Sequence, residues 1–428
     1  MAEKKVLQFP DGFLWGAATS AHQVEGGLNN DWTQWEKDNA EKKVKEAGSK
    51  WEKWQQEKFP EMFDVQNYIS GRACDHYNLY EKDFDIAKGL GHNAHRFSIE
   101  WSRIEPEEGK FDTNEIEHYK KVLMALRERG MEPFVTLWHW TDPVWVGKMG
   151  AWENKETVKF YLRYAERMFR EYKDLVKFWM PLNEPSTEAS HGYLFGSQPP
   201  GIKNKLIANR AFENLMFAQK EVYKIAKSVS PDFQIGCSHF MFYIVAYKNW
   251  PWNILAAKIF DYFANRRFFK AFKNSCDFFG VQYYQPFIVN LKIGGHWWGI
   301  AENKEDKREE SDLGWGYYPE GVYKVLKKAA MNGKPIYITE NGLADRDDRL
   351  RPKFIKEHLV YVHKAISDGV DIRGYFYWSL LDNFEFVEMR GFWPRFGLIE
   401  IDYKTQARKI RPSALVYADI IKNNKIII

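Results

Sequence analysis

Short apolar runs alternate with amphipathic helical stretches along this chain, the rhythm of a parallel sheet whose strands are joined by helices. The cleanest unit begins near Glu115, where Ile116, Tyr119, Val122, Leu123 and Leu126 repeat at helical spacing and charged residues fill the other face. Gly130 suits the end of that helix, and PFVTLW from position 133 follows as a strand. Next, Asn154 can cap a helix whose Val158, Tyr161, Leu162, Ala165, Met168, Phe169 and Tyr172 share a face, and KFWMPL from 177 follows it. Eight strand candidates emerge: FLWGAAT from 13, NAHRFS from 93, PFVTLW, KFWMPL, QIGCS from 234, FFGVQYY from 278, PIYIT from 335 and GYFYW from 374. Eight such units predict an α/β fold, a single closed (β/α)8 barrel of the TIM type over residues 1–428, rather than an open doubly wound sheet.

A barrel of this kind gathers its chemistry at the C-terminal ends of its strands. The polar residues of interest fall there: His22 and Gln23 after the first strand, Arg96 on the second, His139 and Trp140 after the third, and Asn183 and Glu184 at the end of the fourth. Tyr283 and Tyr284 end the sixth, Glu340 the seventh and Trp378 the eighth, while the fifth ends in Cys237 and Ser238, read as structural. Glu184 in PLNEPS and Glu340 in YITENG would each, alone, be an ordinary loop or helix-start glutamate. Brought to one mouth, they are the pair of carboxyl groups that hydrolysis of a glycosidic bond requires: one protonates the leaving oxygen and one meets the positively charged sugar carbon.

Composition narrows the alternatives. The 428 residues carry 62 Lys plus Arg against 58 Asp plus Glu, a formal net charge of +4, with no basic stripe suited to a phosphate backbone, so nucleic acid is not an expected partner. MAEKKVLQFPDG lacks the apolar core of a signal peptide and no uninterrupted apolar span reaches membrane length, which predicts a cytoplasmic protein without a transmembrane segment. Cys74, Cys237 and Cys276 are odd in number and show no metal-like spacing, so neither disulfide, zinc nor any other cofactor is expected. Aromatic residues reach 17 %, with 18 Trp; most are expected in the core, with some free to pack against sugar rings.

At this point FLWGAATSAHQVEGG (13–27), RFSIEWSRIEP (96–106), TLWHW (136–140), LNEP (182–185), ITENG (338–342), WSLLDNFEF (378–386) and RFGLIEID (395–402) together resemble the signatures of family 1 glycoside hydrolases, the β-glucosidase and β-galactosidase family. The matches run in family order over nearly the whole chain. Its short length and TDPVW (141–145) look closest to archaeal members, which suggests a heat-loving source and a thermostable enzyme. The resemblance implies a retaining β-glycosidase acting on a small β-glycoside, with Glu340 as nucleophile and Glu184 as the acid that then becomes the base. Such a pair stands roughly 5 to 5.5 Å apart. Arg96 and the Tyr284 hydroxyl would keep Glu340 charged, since an adjacent cation and a hydrogen bond to a carboxylate both favour ionisation. Gln23, His139, Asn183, Glu385 and Trp378 match positions that in the family grip the glycone, with Asn183 at the 2-hydroxyl. For Trp140 and Trp378, core packing competes with sugar stacking.

Two positions depart from the family. Phe386 stands where a Trp usually follows the sugar-binding Glu, which removes an indole N–H donor and predicts loose discrimination among glucose, galactose and mannose. Gln282 replaces the usual Asn before Tyr283 and Tyr284, which predicts rearranged support on the nucleophile side. A 6-phospho-β-glycosidase is disfavoured because Glu385 is acidic and Pro394 occupies the position of a phosphate-binding Lys. A transglycosylase sharing the intermediate is the other alternative, whereas a sugar-binding protein on an inactive barrel would need a catalytic carboxyl to be lost. Trp297 or Trp298 is expected to line an apolar aglycone site, and the aromatic stretch from Phe240 to Phe272 to cover the barrel or form an interface in a homo-oligomer. The Lys- and Glu-rich insert from Glu36 to Lys58 reads as a solvated helical excursion without chemistry.

Overall fold

The computed structural model describes residues 5–291, 299–300 and 308–428. Eight parallel strands close into a barrel: β1 (Leu14–Ala18), β2 (Ala94–Ser98), β3 (Glu132–Trp138), β4 (Phe178–Leu182), β5 (Gln234–Phe240), β6 (Phe278–Gln282), β7 (Ile336–Asn341) and β8 (Ile372–Trp378). They neighbour one another in chain order, and β8 closes on β1 with Gly374 opposite Leu14 and Trp378 opposite Ala18. All eight sequence candidates are therefore barrel strands. Helices α1 (Asp31–Lys50) and α2 (His76–Gly89) join β1 to β2, and α3 (Thr113–Glu128), α4 (Glu156–Tyr172) and α5 (Lys205–Val229) join the next three pairs. An excursion containing α6 (Pro251–Asp261) lies between β5 and β6, followed by α7 (Glu320–Ala330), α8 (Arg351–Ser367) and α9 (Pro412–Asn423).

Local chemistry sets these boundaries. The Asp112 carboxylate accepts from the backbone N–H of Asn114 and Glu115 at 2.8 and 3.3 Å and so caps α3. Gly130 at φ +65° turns the chain into β3. Asn154 accepts from the N–H of Glu156 at 3.0 Å, just ahead of α4. The apolar stripes of α3 and α4 are buried against the outside of the barrel, with Leu162 at the margin.

Inside the barrel, Ala94, Phe134, Met180, Phe278, Tyr337 and Phe376 from successive strands form a separate cluster. Phe134 stacks on Phe178 with centroids 4.3 Å apart and tilts against Phe376 at 4.7 Å. Aromatic filling closes the barrel below the mouth, so the mouth is a floored bowl rather than a pore. At its rim the ENG turn passes close to the end of β8: a Cβ on Gly342 would stand 1.8 Å from the carbonyl oxygen of Trp378. Only glycine fits there. Away from the mouth, Val6–Gln8 pairs antiparallel with Lys425–Ile427, and Lys5 and Ile428 exchange two backbone hydrogen bonds of 3.0 Å.

Two expectations change at this level. The Glu36–Lys58 insert is not merely solvated: the Glu36 carboxylate is buried, meets His22 Nε2 at 2.7 Å and accepts from the N–H and hydroxyl of Ser70, both at 2.8 Å. The aromatic stretch from Phe240 to Phe272 divides, with Phe268, Phe269 and Phe272 packed into the core, while α6 presents Trp252, Leu255 and Ile259 outward and Phe263 is exposed in the turn after it. Trp297 and Trp298 lie outside the described residues.

Candidate active site

Glu340, on β7 opposite Gln282 of β6, is held at both carboxylate oxygens. The fully buried Arg96 of β2 donates to Oε1, and the Tyr284 hydroxyl donates to Oε2 at 2.6 Å. Burial and the neighbouring Glu340 charge push the Tyr284 phenol well above its ordinary range, so the hydroxyl keeps the proton it donates. The exchange of Asn for Gln at 282 leaves this contact in place. Gln282 reaches instead to Asn183, whose Oδ1 accepts from Arg96 at 2.7 Å, from Gln282 Nε2 at 2.9 Å and from the Ser238 hydroxyl at 3.1 Å.

Glu184 follows directly, in the left-handed region at φ +41°, where a side chain is strained and the chain turns sharply into the helix that starts at Pro185. Its backbone carbonyl accepts from the N–H of Thr187 and Glu188, and its own N–H donates to the Ser238 hydroxyl at 3.3 Å. The Glu184 side chain is buried. Loss of water, and then the negative charge of Glu340, push its carboxyl well above the usual range, against weaker opposing effects of Thr187 and Arg96.

The expected glycone residues surround this pair in unequal ways. His139 takes the Asn183 amide at Nε2, 3.1 Å away, which puts its ring proton on Nδ1, a buried atom without a protein partner. Burial, then Arg96, pushes its pKa well down and keeps it neutral. Trp378, at a cis peptide bond to Ser379, donates from Nε1 to Glu385 at 3.3 Å and stacks on His139 with centroids 6.1 Å apart. The Glu385 carboxyl is pushed up to about 7, chiefly by burial. Trp140 has its indole N–H committed to the Asn183 carbonyl at 2.9 Å. Phe386 is buried, stacks on Trp32 at 4.8 Å and leans against Trp140 at 5.3 Å. Gln23 gives both amide hydrogens to the same loop, to Asn383 Oδ1 at 3.0 Å and the Phe384 carbonyl at 2.7 Å. It steadies the segment that carries Glu385.

Sequence reasoning singled out His22 but missed Ser238 and Glu36. Ser238, left structural on β5, touches both Asn183 and the backbone of Glu184, and its place at a strand end was the available signal. His22 and Glu36 back the aromatic wall, with the His22 ring 5.6 Å from that of Phe386. Tyr283, by contrast, turns away and donates to the Tyr318 carbonyl.

A buried carboxyl raised in pKa by burial and by the charge of a second carboxylate, itself gripped by a guanidinium at the C-terminal mouth of a (β/α)8 barrel, has the chemistry a glycoside hydrolase needs. The family description "Glycosyl hydrolase family 1" matches residues 5–272 and 267–426. The chain belongs to glycosyl hydrolase family 1. It is 32% identical to Beta-glucosidase A of Thermotoga maritima over 98% of this chain and 99% of that protein. It is 29% identical to a beta-galactosidase of Pyrococcus woesei over 97% of each. The solved beta-glycosidase from Pyrococcus horikoshii aligns with a TM-score of 0.85 at 36% identity, covering 99% of this chain and 96% of that one.

Proposed function

We propose that this enzyme is a retaining, exo-acting β-glycosidase, with residues 1–428 forming one catalytic domain. Its substrates on this reading are β-D-glucosides, with β-D-galactosides and β-D-mannosides also accepted. The observation that carries the mechanism is the asymmetry between the two carboxyls: Glu184 is buried beside the charge of Glu340, whereas Glu340 takes donors at both oxygens. Glu340 attacks the anomeric carbon while Glu184 passes its proton to the departing oxygen, giving a covalent glycosyl-enzyme and free aglycone. Esterification removes the Glu340 charge that raised Glu184. The now ionised Glu184 takes a proton from water, and the hydroxide character so created at the anomeric carbon breaks the ester and returns Glu340.

Asn183 would present its amide to the sugar 2-hydroxyl, held in orientation by the three donors on its oxygen, and His139 Nδ1–H would serve a further hydroxyl. Glu385 accepts from or donates to the outer hydroxyls above Trp378. The absence of an indole N–H at Phe386 supports a broad glycone range. The two relatives named for glucoside and galactoside cleavage are in keeping with that breadth.

The test is turnover of nitrophenyl β-glucoside, β-galactoside and β-mannoside by the wild type, Glu340→Gly and Glu184→Ala, with and without azide. Both variants should be severely impaired and both rescued, Glu340→Gly yielding the α-glycosyl azide and Glu184→Ala the β-anomer. Rescue of neither, or turnover that survives loss of Glu340, would overturn the mechanism.

A further inference from the structure

The Glu385 carboxyl is aimed by its backbone. Among the described residues its side chain takes one hydrogen bond, from Trp378 Nε1 at 3.3 Å, which is beyond the usual range for an N–H donor and fixes the carboxyl weakly. The main chain is held far more firmly. Glu385 and Gly391 exchange two backbone hydrogen bonds of 2.8 Å, and the Arg390 N–H donates to the Glu385 carbonyl at 2.9 Å. The residues between them form a closed turn, and that turn is strained: Glu388 and Met389 are consecutive non-glycine residues in the left-handed region, at φ +56° and +55°. Such a pair persists only where its surroundings hold it.

What holds it comes from the connection between β1 and β2. Asn67, buried in a short 3-10 turn (Val65–Tyr68) after α1, spans Gly391 like a staple. Its Nδ2 donates to the Arg390 carbonyl at 3.1 Å, and its Oδ1 and its backbone carbonyl both accept from the Phe392 N–H, at 3.0 and 3.1 Å. Gly391 lies so close that a Cβ there would stand 2.0 Å from the Asn67 carbonyl oxygen. Asn67 is itself fixed, its own N–H donating to the Asp64 carbonyl at 3.1 Å. The second hold is Lys50, the last residue of α1, whose Nζ meets Glu388 Oε2 at 2.8 Å. One contact grips the return of the turn and the other its strained apex.

A turn that merely led the chain away from β8 would need neither clamp. This one begins at the carboxyl that is to meet the outer hydroxyls of the sugar, and its next residue, Phe386, stacks on Trp32 of the same connection. We propose that Asn67, with Lys50 in support, is a positioning residue for sugar binding: it holds the 385–391 turn in its strained form and so sets where the Glu385 carboxyl meets the glycone. This rests on the sugar-gripping role given to Glu385 above. Both residues act through the backbone of Glu385 rather than on the sugar. A polar group displaced by about 1 Å from its productive place loses much of its effect, so a clamp on the backbone is felt at the substrate.

The experiment is a pair of double-mutant cycles on kcat/KM for dinitrophenyl β-glucoside. Asn67→Ala should lower kcat/KM about tenfold in the wild type and less than about twofold in Glu385→Ala, itself already impaired. Lys50→Met should cost about threefold in the wild type and nothing further in Glu385→Ala, and Lys50→Arg, which keeps the ion pair, should restore the wild-type value. The Lys50 side chain is 33% exposed, so its variants decide the matter if Asn67→Ala fails to fold. Equal losses in the two backgrounds would make Asn67 and Lys50 structural residues and overturn the proposal, as would an absence of loss in the wild type. Unimpaired turnover by Glu385→Ala would overturn the role of Glu385 itself, and the proposal with it.

Discussion

At the residue scale, Glu184 and Glu340 are chemically identical side chains made different by their neighbours. Removing the Glu340 charge by Glu340→Gln should lower the pKa of Glu184 toward the ordinary range without reaching it, because burial, the larger cause, remains. Carbon-13 NMR titration of the two proteins reads this directly, and an unmoved Glu184 resonance would show that the carboxyls are not coupled. The sign carries into kinetics: in the proposed mechanism Glu184 acts while protonated, so raising its pKa moves the alkaline limb of kcat/KM to higher pH. Glu184, Glu340, Arg96 and Tyr284 were legible because each falls on a barrel strand or just after its end within a recognisable motif. The use of Gln23 was not, since its two amide hydrogens go to Asn383 and Phe384, partners more than 300 positions away that no local pattern displays.

At the element scale, every barrel strand was readable, because an apolar run between two amphipathic helices has few other places to go. The connecting excursions were harder. Periodicity shows that α6 has two faces, yet which face is outward depends on whether Asn253 and Asp261 find partners, and those come from Tyr247, Leu291 and Lys328. Strand β5 was underrated for a related reason: serine is common enough that Ser238 carries no signal apart from its register. Its hydroxyl links β5 to β4 at the Glu184 backbone N–H and at the Asn183 amide oxygen. Ser238→Ala removes neutral hydrogen bonds worth about 1 kcal/mol each, so kcat/KM should fall roughly tenfold with little change in thermal stability. A large loss of Tm with unchanged kcat/KM would instead make Ser238 a structural residue.

At the scale of the whole molecule, the eight strands close a floored bowl, and the two-stranded terminal ribbon lies apart from the mouth. Deleting residues 425–428 removes the partner of Val6–Gln8 and should lower Tm by several degrees while leaving turnover at low temperature intact; calorimetry and a nitrophenyl assay together check it. Loss of activity in parallel with Tm would mean that the ribbon supports the mouth as well as the ends. The ribbon also bears on how the enzyme is read as a chain. With Lys5 and Ile428 joined by paired backbone hydrogen bonds and β8 lying beside β1, the molecule is nearly a ring that happens to be cut at one place. The order in which a ribosome delivers the strands is therefore separable from the order in which they encircle the sugar, and the cut could in principle be moved to another loop away from the mouth without disturbing which side chains meet there.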